Sequence, residues 1–151
     1  HKYTRWCGVQ YNAMVHSSRF TVSTRGNDDM LDITGQVEQA ILESGVLNGI
    51  ATVFVVGSTA AVTTIEYEPG LAQDMARVME RIAPRDDFYA HEARWKDDNG
   101  HSHIRASLLG PSLTVPIVNG QMVIGTWQQI VLVDFDTRPR QRTVHVQILG
   151  E

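Results

Sequence analysis

Cysteine is nearly missing from this sequence: Cys7 is the only one in 151 residues. No internal disulfide framework and no thiolate metal cluster can be built from it, and such usage fits a reducing compartment. Cys7 itself reads as a small buried hydrophobe. Basic charge is also in short supply. The 13 Lys and Arg against 17 Asp and Glu leave a formal net charge of -4, which lacks the footprint of a nucleic-acid or anionic-membrane binder. The alternation Arg138, Arg140, Arg142 is expected as a solvated strand face, not as a basic patch. No apolar run is long enough to span a bilayer and no signal-peptide pattern occurs, so a cytoplasmic protein is expected.

What is present is ordinary for a globular chain, with 42% apolar and 20% charged residues. That is enough for one domain, residues 1–151, with a core of its own. Val9 to His16 and Arg19 to Thr24, separated by Ser17-Ser18, read as a strand pair. Turn chemistry follows at Gly26 to Asp29. Asp32 or Thr34 can cap a helix whose apolar stripe is Ile33, Val37 and Ile41 and whose stop is Gly45. Ile50 to Val56 is an unbroken apolar run, the pattern of a strand covered on both faces. It resumes after Gly57-Ser58-Thr59 as Ala60 to Glu66. Pro69 suits the first turn of a second helix, with Leu71, Met75, Val78, Met79 and Ile82 on one face. Asn119-Gly120 between apolar runs marks a hairpin. Gln129 to Phe135 and Thr143 to Leu149 complete the strands. The expected class is α+β, a largely antiparallel or mixed sheet packed with two main helices.

The chemistry concentrates between Tyr89 and Gln129. An irregular segment there carries His91, His101 and His103 beside Glu92, Asp97 and Asp98. Three uses compete. The histidines can ligate a divalent metal, zinc or magnesium, if the spacing lets three donors converge. His101 and His103 share a face on a strand but diverge on a helix, and a helix is expected to begin near Ser102. Alternatively, His103 paired with Glu66 or Asp98 can exchange protons near neutral pH. Thirdly, Ser58, Thr59, Arg105 and Ser107 can hold a phosphate-like anion. A plain polar turn at Asp97 to Gly100 and a purely structural Gly-Ser-Thr bend are the bland alternatives. Trp127 is expected in the core, and of Gln128 and Gln129, one should be buried.

Three stretches resemble the YjbQ family, also called UPF0047: His101 through Ser112, Gly125-Thr126-Trp127-Gln128, and the closing Gln147 to Glu151. Ser58 to Ala61 and Glu66 resemble its Thr-Ala-rich strand and following glutamate. The likeness runs from about Asp32 to the end. It implies a small α+β protein forming a homo-oligomer, commonly a trimer, with a site lined by histidines. It also implies weak thiamine-phosphate synthase activity in some members. By this likeness His101, His103 and Glu66 would be catalytic, Ser58, Thr59, Arg105, Trp127 and Gln128 would bind substrate, and His91, His101 and His103 would face a metal. One departure is visible: many members place a histidine where this chain has Gly57. The expectation is therefore an enzyme acting on a small or phosphorylated ligand, with no nucleic-acid or membrane partner. The alternatives are a non-catalytic metabolite- or anion-binding oligomer and an assembly protein with a vestigial site.

Overall fold

The computed structural model describes residues 14–151; Cys7 and the start of the first expected strand lie outside that range. The larger of two sheets is antiparallel throughout and runs β1-β8-β3-β5-β6. Its strands are β1 Met14–Thr24, β3 Gly49–Val55, β5 Ser112–Val118, β6 Gln121–Met122 and β8 Arg140–Gly150. The smaller sheet, also antiparallel, runs β2-β7-β4, with β2 Asp29–Asp32, β4 Ala60–Ile65 and β7 Gln129–Asp134. Four helices complete the α+β fold: α1 Thr34–Ser44, α2 Pro69–Ile82, α3 Ala90–Trp95 and α4 Gly100–Leu109. None of the described helices is long and apolar enough to cross a membrane.

The small sheet is the middle layer. Alternation along a strand sends successive side chains to opposite faces, and β7 uses both for core. Ile130 and Leu132 join Val62 against Val53, Val55, Val144, Val146, Ile148, the α1 residues Val37 and Ile41, and Ile33 just before that helix. Val131 and Val133, with Ala61 and Phe135, face Met79 of α2 and Ala106 of α4. Each of the larger of these side chains contributes about 1.5–3 kcal/mol by leaving water. The strand covered on both faces is thus β7. In β3 only Ala51, Val53 and Val55 are buried, while Ile50 and Phe54 stand exposed on the outer face of the large sheet.

Other local expectations meet their physical causes. Ser17 and Ser18 do not break the chain: β1 continues through them, paired residue for residue with β8. Their side chains are small enough for a strand, and Ser17 bonds Gln147 across the ladder. Asp32 Oδ1 accepts from the Thr34 N–H at 2.9 Å and Gly45 closes α1 at φ 72°. The Glu68 carboxylate caps α2 by accepting from Gly70 and Leu71. The apolar stripe of α2 is only partly covered, with Met79 buried but Val78 and Ile82 exposed. Asn119 and Gly120 both take positive φ, 53° and 78°, the conformation of a tight primed hairpin turn.

Candidate functional site

The His-rich segment is helical, not irregular. α3 ends at Lys96 in a left-handed conformation, and α4 begins after Asn99. Two residues of helix turn a side chain through about 200°, so His101 and His103 leave α4 on different sides. His101 is 1% exposed; its ring lies 6.3 Å from that of Tyr89, and its Nδ1 is buried without a partner. Burial lowers its pKa, reinforced by the Arg105 and Arg85 charges, so the imidazole is neutral. His103 is half-buried and lies beside His91, ring centroids 4.6 Å apart. Burial and the neighbouring His91 hold its pKa below the ordinary value, against the opposing pull of Asp136 and Asp97. His91 Nε2 stands 3.7 Å from Asp97 Oδ2, an electrostatic approach too long for a hydrogen bond.

A second polar cluster adjoins α4. It gathers where β1, β7 and β8 and the β3–β4 link meet. Asp134, fully buried, takes a two-pronged hydrogen bond from Arg142, Nε at 2.7 Å and Nη2 at 2.9 Å. Thr24 Oγ1 donates to the same carboxylate at 2.6 Å. Arg142 Nη2 also reaches Thr59 Oγ1 at 2.6 Å, and that hydroxyl donates to Asp136 at 3.1 Å. Arg140 Nε and the Thr137 N–H complete Asp136 at 2.9 and 2.8 Å. Burial alone would raise the Asp136 pKa, but the Thr137, Arg140 and Thr59 hydrogen bonds outweigh it and hold the carboxyl below its usual range. Asn99, buried ahead of α4, approaches Asp136 through Nδ2 at 3.5 Å and leaves Oδ1 unpartnered. Asn99 thereby ties the histidine helix to this cluster.

The expected site residues divide accordingly. Thr59 belongs to the buried cluster, and Ser58 is exposed next to it. Arg105 is not available to an anion: its side chain is 4% exposed, paired to Asp28 and Glu80 and bonded to the Ala83 carbonyl. Ser107 bonds the Ile104 carbonyl. Glu66 is exposed just beyond β4, at the opposite end from Thr59, seven residues or about 23 Å of extended strand away. Trp127 is 72% exposed and not core. Gln128, also exposed, bonds the Gly125 N–H and Thr64; Gln129 is the half-buried amide and takes the Tyr67 N–H. Arg142 is buried, so the Arg138 to Arg142 stretch is not uniformly a solvated face. His91, His101 and His103 do not converge, and among the described residues no three His, Cys, Asp or Glu side chains are placed to hold a metal ion. A zinc site wants three protein donors; this arrangement supplies the imidazole pair His91 and His103, so the donor set does not fit.

Two cavities flank these groups. One of about 410 Å³ is lined by Asn27, Arg85, Asp86, Glu92, Asp98 and Thr137, next to the α3–α4 turn. A larger one of about 610 Å³ lies between the Arg25 to Met30 turn and the start of α2, with Tyr67 and Glu68 in its wall. The residues overlooked in the sequence are Asp134, Asp136, Arg142 and Thr24. Their signal was an acidic residue closing the apolar run Ile130 to Val133, matched by arginines at the start of the next strand. Asp is poorly suited to a strand, and a buried one needs a partner.

Residues 18–151 match the family described as UPF0047 protein YjbQ-like. The chain belongs to the YjbQ family. A UPF0047 protein of Methanothermobacter thermautotrophicus is 39% identical over 145 residues, 96% of this chain and 98% of that protein. The YjbQ-family protein YugU of Bacillus subtilis is 34% identical, over 85% of this chain and 96% of its own length. Among solved structures, a YbjQ-like protein of unknown function from Sulfolobus solfataricus superposes with a TM-score of 0.87 at 38% identity. It covers 92% of this chain and 99% of its own. A YjbQ/UPF0047 protein from Clostridium acetobutylicum gives 0.80 at 36% identity, covering 87% and 98%. The YjbQ fold is therefore shared over nearly the whole of this chain, and these relatives carry no named reaction.

Proposed function

We propose that this YjbQ-family protein is a small-molecule enzyme whose proton-transfer group is His103. The observation that carries the reading is the half-buried His103 imidazole, beside His91 and within the electrostatic reach of Asp136 and Asp97. An imidazole with a lowered pKa is unprotonated at neutral pH and is able to accept a proton. His101 is a core residue in this reading, and Glu66, exposed beyond the far end of β4 from Thr59, is given no part in it. The ligand is a small phosphorylated or heterocyclic compound. The narrower form is weak thiamine-phosphate synthase activity, in which a pyrimidine pyrophosphate joins a thiazole phosphate and pyrophosphate departs. With Arg105 locked to two carboxylates, Arg142 and Arg140 are the guanidiniums assigned to meet the departing anion. Purified protein given both substrates and Mg²⁺ should release pyrophosphate, with the rate falling roughly 100-fold or more in His103→Ala. Absent turnover in folded wild-type protein sinks the synthase form. A rate unchanged by His103→Ala sinks the catalytic role and favours a non-catalytic metabolite-binding protein.

The homo-oligomer, with a trimer favoured, is the second part of the proposal. It is supported by the outer face of the large sheet, where Ile50, Phe54, Val118 and Leu149 are all more than two-fifths exposed. An uncovered apolar face of this kind is what association buries. Sedimentation should report a trimer, and Phe54→Lys should yield monomers; a monomeric wild type rejects the assembly.

A further inference from the structure

An arginine guanidinium has five N–H bonds, and three of those on Arg142 are engaged by Asp134 and Thr59. The two left over both belong to Nη1, and no described residue accepts a hydrogen bond from them. The side chain is only 8% exposed, yet Nη1 points at the surface bend. A Cβ at Gly57 would lie 2.6 Å from it, and Gly57 holds φ at +133°. Gly57 and Ser58 are themselves exposed. The absent side chain therefore lets Nη1 pack directly against the exposed Gly57 backbone, where a larger residue would push it away.

The charge arrangement gives that bend a sign. Two guanidiniums, Arg140 and Arg142, balance Asp134 and Asp136, so the cluster as a whole is neutral. The carboxylates are at the bottom, 0% and 1% exposed, while the Arg140 side chain is 38% exposed. The outward end is therefore cationic and the inward end anionic. The N–H groups of Gly57 and Ser58 have no backbone acceptor among the described residues, and Ser58 is exposed. A guanidinium edge beside main-chain N–H groups that lack acceptors is a donor set suited to an oxyanion.

We infer that the Gly57–Thr59 bend and Arg142 Nη1 form a receiving site for a phosphate-class oxyanion. It rests on the small-molecule reading above and deepens it by naming the end through which the ligand is held. Arg142 is here a binding group, and Asp134 with Thr59 are positioning residues that aim its free edge outward.

Inorganic phosphate titrated into the full-length protein, followed by amide and arginine Nε–H resonances, tests the assignment. Ser58 and Arg142 signals should shift with a common saturation curve. Gly57→Ala, whose methyl group would lie 2.6 Å from Nη1 and displace it, should weaken phosphate roughly ten-fold or more. Because alanine is strained at this φ, Ser58→Ala serves as the second variant; it removes one hydroxyl and should weaken binding by roughly three-fold. His103→Ala should lose turnover while retaining phosphate affinity, so failure of the catalytic reading and failure of this one are separable. Affinity unchanged in both Gly57→Ala and Ser58→Ala overturns the site, as does saturation with shifts confined to other residues. Acetate binding as tightly as phosphate overturns the phosphate class.

Discussion

Two polar regions lie side by side in this molecule and were built by opposite rules. The segment from Tyr89 to Leu109 concentrates ionisable residues along the chain, and the helix then disperses them: His101 goes into the core and His103 to the His91 side. The cluster of Thr24, Thr59, Asp134, Asp136 and Arg142 is scattered over more than a hundred positions, and strand ends bring it together. Local density in sequence measures how many groups are available. Proximity depends on periodicity and strand order. The carboxylates of the dispersed cluster are also the better satisfied, since the buried atoms without a partner include His91 Nε2, Asn99 Oδ1 and His101 Nδ1 but no atom of Asp134 or Asp136.

The largest expected effect tests whether the strand-end cluster is held as one unit. Arg142→Met removes the fork from Asp134 and leaves a fully buried carboxylate without its cation, at a cost of about 3–5 kcal/mol. Urea unfolding monitored by circular dichroism measures it. Adding Asp134→Leu removes the stranded charge, and the double variant should recover most of the loss, because an apolar replacement of a buried pair is often near neutral. A single variant within about 1 kcal/mol of wild type would mean that water reaches Asp134 and that the two regions do not differ in the way described.

Arg105 belongs to the histidine helix yet behaves like a member of the other region. It closes α4 onto Asp28 after β1 and onto Glu80 and the Ala83 carbonyl of α2. Arg105→Met should cost about 2 kcal/mol, less than Arg142→Met because Glu80 is half exposed and stays solvated when unpaired. The Glu80 carboxyl, held below its usual pKa first by the Arg105 hydrogen bond, should move back up when Arg105 is lost. Carboxylate titration by nuclear magnetic resonance reads that shift, and an unmoved Glu80 would place the ion pair in doubt.

How much of this was legible beforehand follows from the same contrast. Features set within a few residues could be read: the Asn119-Gly120 hairpin, the Gly45 stop, Pro69 opening α2, and the α+β order. The apolar run from Ile50 to Val56 reads as a strand covered on two faces, but the chain covers only one of them. The strand that does have both faces covered, β7, owes that to its place in the middle layer, which depends on which strands pair. Arg142 was taken for solvent because arginine is rarely buried without a partner, and its partner lies eight residues earlier across a turn, on the other sheet. Trp127 was placed in the core on size alone; the turn after Gly125 carries it outward instead.

The smallest expected effect concerns His101, the imidazole buried with an unpartnered nitrogen. His101→Phe keeps the contact with the Tyr89 ring and removes the unsatisfied Nδ1, so stability near pH 8 should stay within about 1 kcal/mol of wild type. The pH dependence sharpens the comparison. Burial first, then Arg105 and Arg85, place the folded pKa of His101 below its ordinary 6.5, so the native state binds fewer protons than the unfolded chain in the interval between them. Stability is then complete above pH 6.5 and declines as the pH falls through that interval toward the folded value. His103 has a lowered pKa as well and adds to the slope in the same direction. His101→Phe should therefore flatten part of the fall in melting temperature below pH 6.5, and His101→Phe with His103→Ala should flatten more of it. The strand-end carboxylate Asp136, held below its usual range, responds only in stronger acid. An acid slope that survives the double replacement would assign it to groups outside the helix, and the division between a proton-responsive helix and a proton-indifferent cluster would fail.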